Sequence, residues 1–329
     1  MPGRWDGREI QYFWRDTSNF VGKALSLRYF KAMHRRTFIM NTGKTVAITA
    51  AAASLATRLA AADAAAPDTK INHSVCKWCY DKIPLEDLCI AGKEMGLKSI
   101  ELLMPGDFPT LQKHGLTCAL VSFPSGTTAA GVKVGGINSA FNRLEHHDAL
   151  VAAYEPHLKA SAEVGAKQVI CFSGNRDGIS DEQGLENCAI GLKRLLPLAE
   201  KLGITLVMEL LNSKVNHKDY QCDHTAWGVE LCKKTGSGNF KLLYDIYHMQ
   251  IMEGDVIATI RDNHSFISHY HTGGVPGRNE IDDSQELFYP AIMRAIVATG
   301  YTGFVGQEFI PKRADKLASL KQGLEICTV

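Results

Sequence analysis

From residue 70 to the C-terminus, short apolar runs alternate with longer amphipathic ones, and this alternation constrains the fold more than any other feature of the chain. Eight runs rich in branched and aromatic side chains read as strands. They are "HSVCKWCY" (73–80), "KSIELL" (98–103), "LTCALVSF" (116–123), "KQVICFSG" (167–174), "ITLVMELLN" (204–212), "FKLLYDIYH" (240–248), "FISHYHTGG" (266–274) and "GFVGQEFI" (303–310). Between them lie helical patterns with start and stop signals. "PLEDLCIAGKEMG" (84–96) opens on Pro and acids and stops at Gly, and "DEQGLENCAIGLKRLLPLAEKLG" (181–203) also closes on Gly. Strands separated by helices pair in parallel, because only a crossover returns the chain to the same end of the sheet. Eight such units in roughly 260 residues match a (β/α)8 barrel of the TIM type. A doubly wound open sheet would carry a Gly-rich phosphate turn after its first strand, and "CYDKIPLED" holds none. No long linker or repeat interrupts the region, so 67–329 is expected to form a single α/β barrel domain.

The first 66 residues read differently. They hold ten Lys/Arg against four Asp/Glu; subtracting these from 36 and 35 leaves 26 against 31, a net of −5, for residues 67–329. "HRRTFIM" (34–40) precedes the alanine-rich "TVAITAAAASLATRLAAADAAA" (45–66), a basic pair followed by a weakly apolar run with a small-residue end. That is the layout of a secretory signal, and Arg35-Arg36 with Phe38 and Ile39 resembles the twin-arginine export type. Residues 1–66 are therefore set apart as an upstream extension and signal. The expected location is periplasmic or exported, with the cytoplasm as alternative and no membrane attachment of the mature form. Nine cysteines in an exported chain would suggest disulfides, but the number is odd and six fall in apolar patterns, which favours buried thiols. The mildly acidic body argues against a phosphate-backbone binder, so no nucleic-acid partner is expected. A homo-oligomer is compatible with the sequence.

In a barrel of this kind the chemistry sits at the C-terminal ends of the strands. The last four strands each place one polar residue late in an apolar run: Glu209 in "VMELLN", Asp245 in "LLYDIYH", His271 in "SHYHTGG" and Glu308 in "VGQEFIP". An unpaired charge there is costly. Any one of them alone is more often paired with an Arg, capping a loop or satisfied in the core. Four on consecutive strands can converge on a single ion, and two glutamates, an aspartate and an imidazole suit one divalent metal such as Mn²⁺, Mg²⁺ or Co²⁺.

At these residues the chain resembles the xylose-isomerase-like barrels, the family that includes hydroxypyruvate isomerase and the ketose 3-epimerases. "YDIYHMQIMEGD" (244–255), "VPGRNE" (275–280) and "GYTGFVGQEFIP" (300–311) carry the likeness, which covers roughly 70–315. The resemblance implies that Glu209, Asp245, His271 and Glu308 hold the metal, that Glu209 and Glu308 move the proton, and that His248 and Arg278 bind substrate oxygens. It also implies an α-hydroxy-carbonyl substrate reacting through an enediolate, with hydroxypyruvate to tartronate semialdehyde as the specific expectation. Hydroxypyruvate isomerases tend to carry Gln where His271 stands, whereas the sugar epimerases carry His, and "ELLN" (209–212) is the epimerase spelling. A ketose 3-epimerase or another sugar-acid isomerase is therefore the alternative. A non-catalytic sugar-binding barrel would have lost a catalytic glutamate, and the endonuclease branch would need several more histidines and a basic groove.

Other residues carry secondary expectations. Trp78, Tyr80 and Glu101, near the ends of the first two strands, would either floor the substrate site or pack in the core and rim. His269 is expected to be structural or to support the metal-bearing residues. His146-His147 is expected to be a solvated helix start.

Overall fold

The alternation is present in the computed structural model of the chain, which describes residues 71–329. The twin-arginine-type segment and the rest of 1–66 lie outside the described residues. Seven strands form one sheet: β1 (Asn72–Cys76), β2 (Ser99–Glu101), β3 (Gln168–Cys171), β4 (Thr205–Glu209), β5 (Phe240–Asp245), β6 (Ile267–Thr272) and β7 (Phe304–Gln307). All pairs are parallel, in the order β2-β1-β7-β6-β5-β4-β3. The main crossover helices are α1 (Leu85–Glu94), α2 (Phe108–Lys113), α3 (His147–Glu163), α4 (Asp181–Leu202), α5 (Thr225–Thr235), α6 (Ile246–Met252), α7 (Val256–Asn263), α8 (Tyr289–Ala298) and α9 (Lys316–Cys327). The helix signals act as expected in α4: the Ser180 hydroxyl accepts the Gln183 N–H, and Gly203 closes the helix in the left-handed conformation at φ 66°.

The expected third strand is the irregular one. Residues 117–122 lie between β2 and β3 and join them through single bridges. Thr117 and Ser122 donate backbone N–H to the carbonyls of Lys98 and Leu103, and Val121 donates to Gln168. A regular ladder fails because the Ala119 N–H is taken by the Ser99 hydroxyl at 2.8 Å. The architecture is thus TIM-barrel-like, with a parallel seven-stranded sheet and a loosely bridged eighth segment.

One bulge sets what faces the interior. Leu242 pairs with Ile267 and Leu243 with His269, so Ser268 is an extra residue on β6. Its carbonyl accepts from Gln168 Nε2 and from the Tyr301 hydroxyl. Because side chains alternate along a strand, this one-residue shift aligns His271 rather than Tyr270 with Asp245.

All nine cysteines are free and buried, as expected. Cys76 and Cys79 do not share a strand, however, since β1 ends at Cys76 and Lys77–Tyr80 forms a 3-10 turn. His146 and His147 also depart from expectation. Both are buried, and their rings bond the carbonyls of Ala140 and Phe141, so the start of α3 is anchored inward rather than solvated. Glu253, which closes α6, accepts from the Thr225 N–H (2.6 Å) and hydroxyl (2.7 Å) and so caps the start of α5.

Candidate active site

Glu209 and Asp245 are the last residues of β4 and β5, His271 is the next-to-last of β6, and Glu308 follows β7 directly. All four are buried, and one ligand atom from each lies within 4.8 Å of the others. The quartet read from sequence is therefore one spatial cluster at the C-terminal ends of four adjacent strands.

Glu101, on β2, orients the imidazole of this cluster from behind. Its Oε1 lies 2.6 Å from His271 Nε2 and 2.8 Å from His269 Nε2. Burial pushes the Glu101 carboxyl up, but the two histidines outweigh it and hold the group well below the usual carboxylate range. An ionised carboxylate only accepts, so His271 carries its proton at Nε2 and turns Nδ1 toward the quartet. That Nδ1 is 2.7 Å from Glu308 Oε2 and 3.7 Å from Glu209 Oε1, yet it has no hydrogen-bond partner of acceptable geometry; nor has Glu209 Oε1. Gly306 makes room for this arrangement: a Cβ there would lie 2.6 Å from Glu101 Oε1 and 2.8 Å from His271 Cδ2.

The three carboxyls of the quartet differ in environment. Burial, then repulsion from Glu308, raises Glu209. Burial pushes Asp245 up to about 8, against the pull of Arg278. Glu308 is raised by burial too, but Arg278 and then His271 outweigh this and hold it well below its ordinary value. Burial opposes charging His271, but Cys76 and then Glu308 and Glu101 outweigh it and hold the imidazole well above its ordinary value. A proton and a cation thus compete for the same Nδ1. The donor set fits a divalent metal: three carboxylates and an imidazole are buried together, with two donor atoms left without partners.

Arg278 and His248 also reach the cluster. Arg278, at φ 57°, places Nη2 3.0 Å from Asp245 Oδ2 and 2.5 Å from Glu308 Oε2. Its guanidinium lies over the rings of Trp78 and Tyr247, at 5.3 and 5.4 Å. Trp78 Nε1 donates to Glu308 Oε1 at 2.8 Å, so Trp78 belongs to the site. Tyr80 is in the core. His248 Nδ1 accepts from the Asn212 backbone N–H (3.1 Å) and sits 2.6 Å from Asn212 Nδ2. Its proton is therefore on Nε2, which lies 3.7 Å from Asp245 Oδ2 with no hydrogen-bond partner. Burial, then Arg278, lowers the His248 pKa well below its ordinary value, so the ring is neutral.

The cluster opens onto a cavity of about 370 Å³. Glu209, Glu308 and Arg278 form its polar end, and Leu102, Phe123 and Phe172 are among its apolar walls. Leu102 holds φ 58°, a left-handed conformation unusual for this residue type, directly after β2. His217, in the loop after β4, also lines the cavity, with its ring 5.3 Å from that of His248. Nothing in the local sequence marks His217, because its place depends on where the loop folds back.

Comparison with known proteins agrees with the fold. The model of the family described as "Xylose isomerase-like TIM barrel" matches residues 92–327. A 2-oxo-tetronate isomerase from Cupriavidus necator is 27% identical over 244 residues, covering 71% of this chain and 90% of that protein. The hydroxypyruvate isomerase of Escherichia coli is 29% identical over 229 residues, covering 67% and 85%. A crystal structure from Brucella melitensis, described as an AP endonuclease of family 2, aligns with a TM-score of 0.66 at 25% identity, over 78% of this chain and 99% of that one.

Proposed function

The chain belongs to the xylose isomerase-like TIM barrel family and is an isomerase; from that premise we propose that it is metal-dependent and acts on an α-hydroxy-carbonyl compound through an enediolate. Hydroxypyruvate to tartronate semialdehyde is the specific reaction proposed. The observation that carries the reading is the buried quartet, with Glu209 Oε1 and His271 Nδ1 aimed into it unpartnered. Glu209, Asp245, His271 and Glu308 would hold one Mn²⁺, Mg²⁺ or Co²⁺, whose charge lowers the cost of the negative charge that develops on the substrate oxygens.

The chain's own residues divide the rest of the work. Glu308, kept ionised by Arg278, takes the proton from the substrate carbon that bears the hydroxyl. Glu209, raised by burial and then by Glu308, and paired with His271 only at 3.7 Å, carries the proton returned to the neighbouring carbon. The His248 Nε2–H donates to the substrate oxygen as charge develops on it, and its neutral state keeps it from competing as a cation. Arg278 holds Asp245 and Glu308 in place while its own guanidinium packs on the rings of Trp78 and Tyr247. The apolar walls keep bulk water from the developing enediolate, which strengthens the polar contacts made to it. Return of the proton to the opposite face of the same carbon would give epimerisation instead. His271, the residue type the epimerases carry at this position, favours that second reading.

The test is solvent-deuterium exchange followed by NMR in the presence of Mn²⁺. Deuterium uptake beside the carbonyl is expected, and Glu308→Gln should abolish it while leaving the thermal transition in place. Turnover unchanged in that variant would refute the two-glutamate scheme.

A further inference from the structure

Converting an α-hydroxy-carbonyl compound into its isomer moves protons along two routes, carbon to carbon and oxygen to oxygen. Glu308 and Glu209 are committed to the carbon route. On the other, the hydroxyl must lose its proton to become a carbonyl, and the former carbonyl oxygen must gain one. Without that transfer the enediolate can only return to the compound it came from. A group beside both oxygens therefore has to accept a proton and give it back.

The other polar groups of the site cannot do this. Trp78 Nε1 and the Arg278 guanidinium only donate. His248 presents Nε2–H, and the nitrogen that could take up a proton faces the backbone N–H and the amide of Asn212. His271 is held between Glu101 and the quartet. Ser122, on the cavity wall, is an alcohol and too weak a base to hold a proton near neutral pH.

Among the described lining residues this leaves His217. Its ring is half-buried, stands 5.3 Å from that of His248 and makes no hydrogen bond or ion pair among the described residues. Burial, then Arg278, lowers its pKa, so the ring is neutral and carries one acceptor and one donor nitrogen. Its position is built in advance by Asn212, three residues after Glu209. Asn212 Oδ1 accepts the N–H groups of Val215 (3.0 Å) and Asn216 (2.9 Å), its Nδ2 donates to Asn216 Oδ1, and its carbonyl accepts the His217 N–H. One residue thus fixes both the tautomer of His248 and the turn that carries His217. The ring stands where the reaction cavity meets a second one of about 790 Å³, as a wall of both.

We propose that His217 is a further catalytic residue, the carrier of the oxygen-to-oxygen proton. Its unprotonated nitrogen takes the hydroxyl proton, and the O–H electron pair becomes the new C=O bond. The C=C pair of the enediolate takes the proton from Glu209, matching the one Glu308 received. The same imidazole nitrogen then delivers its proton to the former carbonyl oxygen, which held the negative charge. The ring ends as it began. This inference rests on the isomerase reading above and assigns the proton that reading leaves unassigned. Epimerisation at a single carbon needs no such carrier.

The test uses the full chain loaded with Mg²⁺ in deuterium oxide, with hydroxypyruvate and a panel of ketoses and aldoses. NMR follows the isomer formed and the deuterium in recovered substrate. His217→Gln keeps a hydrogen-bonding group but cannot hold the proton, so isomer formation should fall about a hundredfold or more. Exchange into recovered substrate should continue at close to the wild-type rate. In His217→Ala, added imidazole should restore isomer formation. Exchange and isomer formation falling together, no rescue, or an unchanged His217→Gln would overturn the inference and leave the isomerase reading intact. Exchange without isomer from the wild type would also overturn it, in favour of epimerisation. Neither exchange nor isomer on any compound would remove the enediolate reading and the inference with it. A measurement without turnover uses glycolohydroxamate, whose adjacent oxygens mimic those of the enediolate. It should shift the His217 ring signals in the ¹H–¹⁵N spectrum, identified by their loss in His217→Gln, and signals left unmoved would overturn the contact.

Discussion

Replacing Glu101 with Gln isolates the contribution of a residue that touches no substrate. Glu101 is wholly buried, and its Oε1 accepts from both His271 and His269. The amide introduced by Glu101→Gln would keep a neutral acceptor for those two N–H groups and place an NH₂ where Oε2 now has no partner. Two charge-assisted bonds become ordinary ones, and a buried donor is left unsatisfied. Loss of the outer partner of a metal-binding histidine typically costs 10–100-fold in metal affinity, about 1.4–2.8 kcal/mol. The unsatisfied amide places the expected loss in the upper half of that range. Calorimetric titration of the metal-free protein with Mn²⁺ reads the affinity, and the absorption spectrum of the Co²⁺ form reads the coordination geometry. Both should change. A Mn²⁺ affinity within about twofold of wild type, with an unaltered Co²⁺ spectrum, would show that His271 needs no support from β2 and would falsify the argument from Glu101.

Gly306→Ala should press on the same pair, because its Cβ would meet Glu101 Oε1 at 2.6 Å; we expect a loss of about 1–3 kcal/mol in stability together with weaker Mn²⁺ binding, and a fully stable variant with normal binding would contradict this. Glu253→Ala removes both bonds that cap α5 at Thr225 and should cost about 1–2 kcal/mol in urea unfolding without altering Mn²⁺ binding; no change in the midpoint would refute the cap. The pH dependence follows from Asp245, which keeps its proton to about 8 in the folded chain against an ordinary value of 3.8. Between those values the folded state binds more protons than the unfolded, so Asp245 contributes less stability as pH rises. Near its ordinary value of 6.5 the unfolded His248 still loses its proton and opposes the trend, but His271, raised on folding, acts over the same range with the opposite sign and offsets it. The melting temperature of metal-free protein should fall from pH 6.5 to 8, and saturating Mn²⁺ should remove the slope. A flat or rising profile without metal would be inconsistent with a buried, protonated Asp245.

Much of the site is legible in the sequence because burying a charge is expensive enough to stand out. Glu209, Asp245, His271 and Glu308 each interrupt an apolar run at its downstream end, and the barrel rule converts that position into a direction. What sets the register is less visible. The extra residue at Ser268 aligns His271 with Asp245, and a bulge leaves no mark in a pattern of alternation. Glu101 is visible as a polar residue near a strand end, but its partners stand 168 and 170 residues away across the barrel interior. The segment 117–122 has strand composition, yet the Ser99 hydroxyl intercepts its backbone at Ala119. His146 and His147 look solvent-facing beside Glu145 and Asp148, and only the turn of chain at 140–141 supplies the carbonyls that draw them inward.

The quartet and the larger cavity of about 790 Å³ beside it come from different parts of the chain. The quartet is fixed by strands β4 to β7, whose spacing is dictated by the sheet, whereas much of the wall of that cavity lies between residues 125 and 139. That wall can therefore change in sequence without moving any of the four strands that carry the quartet.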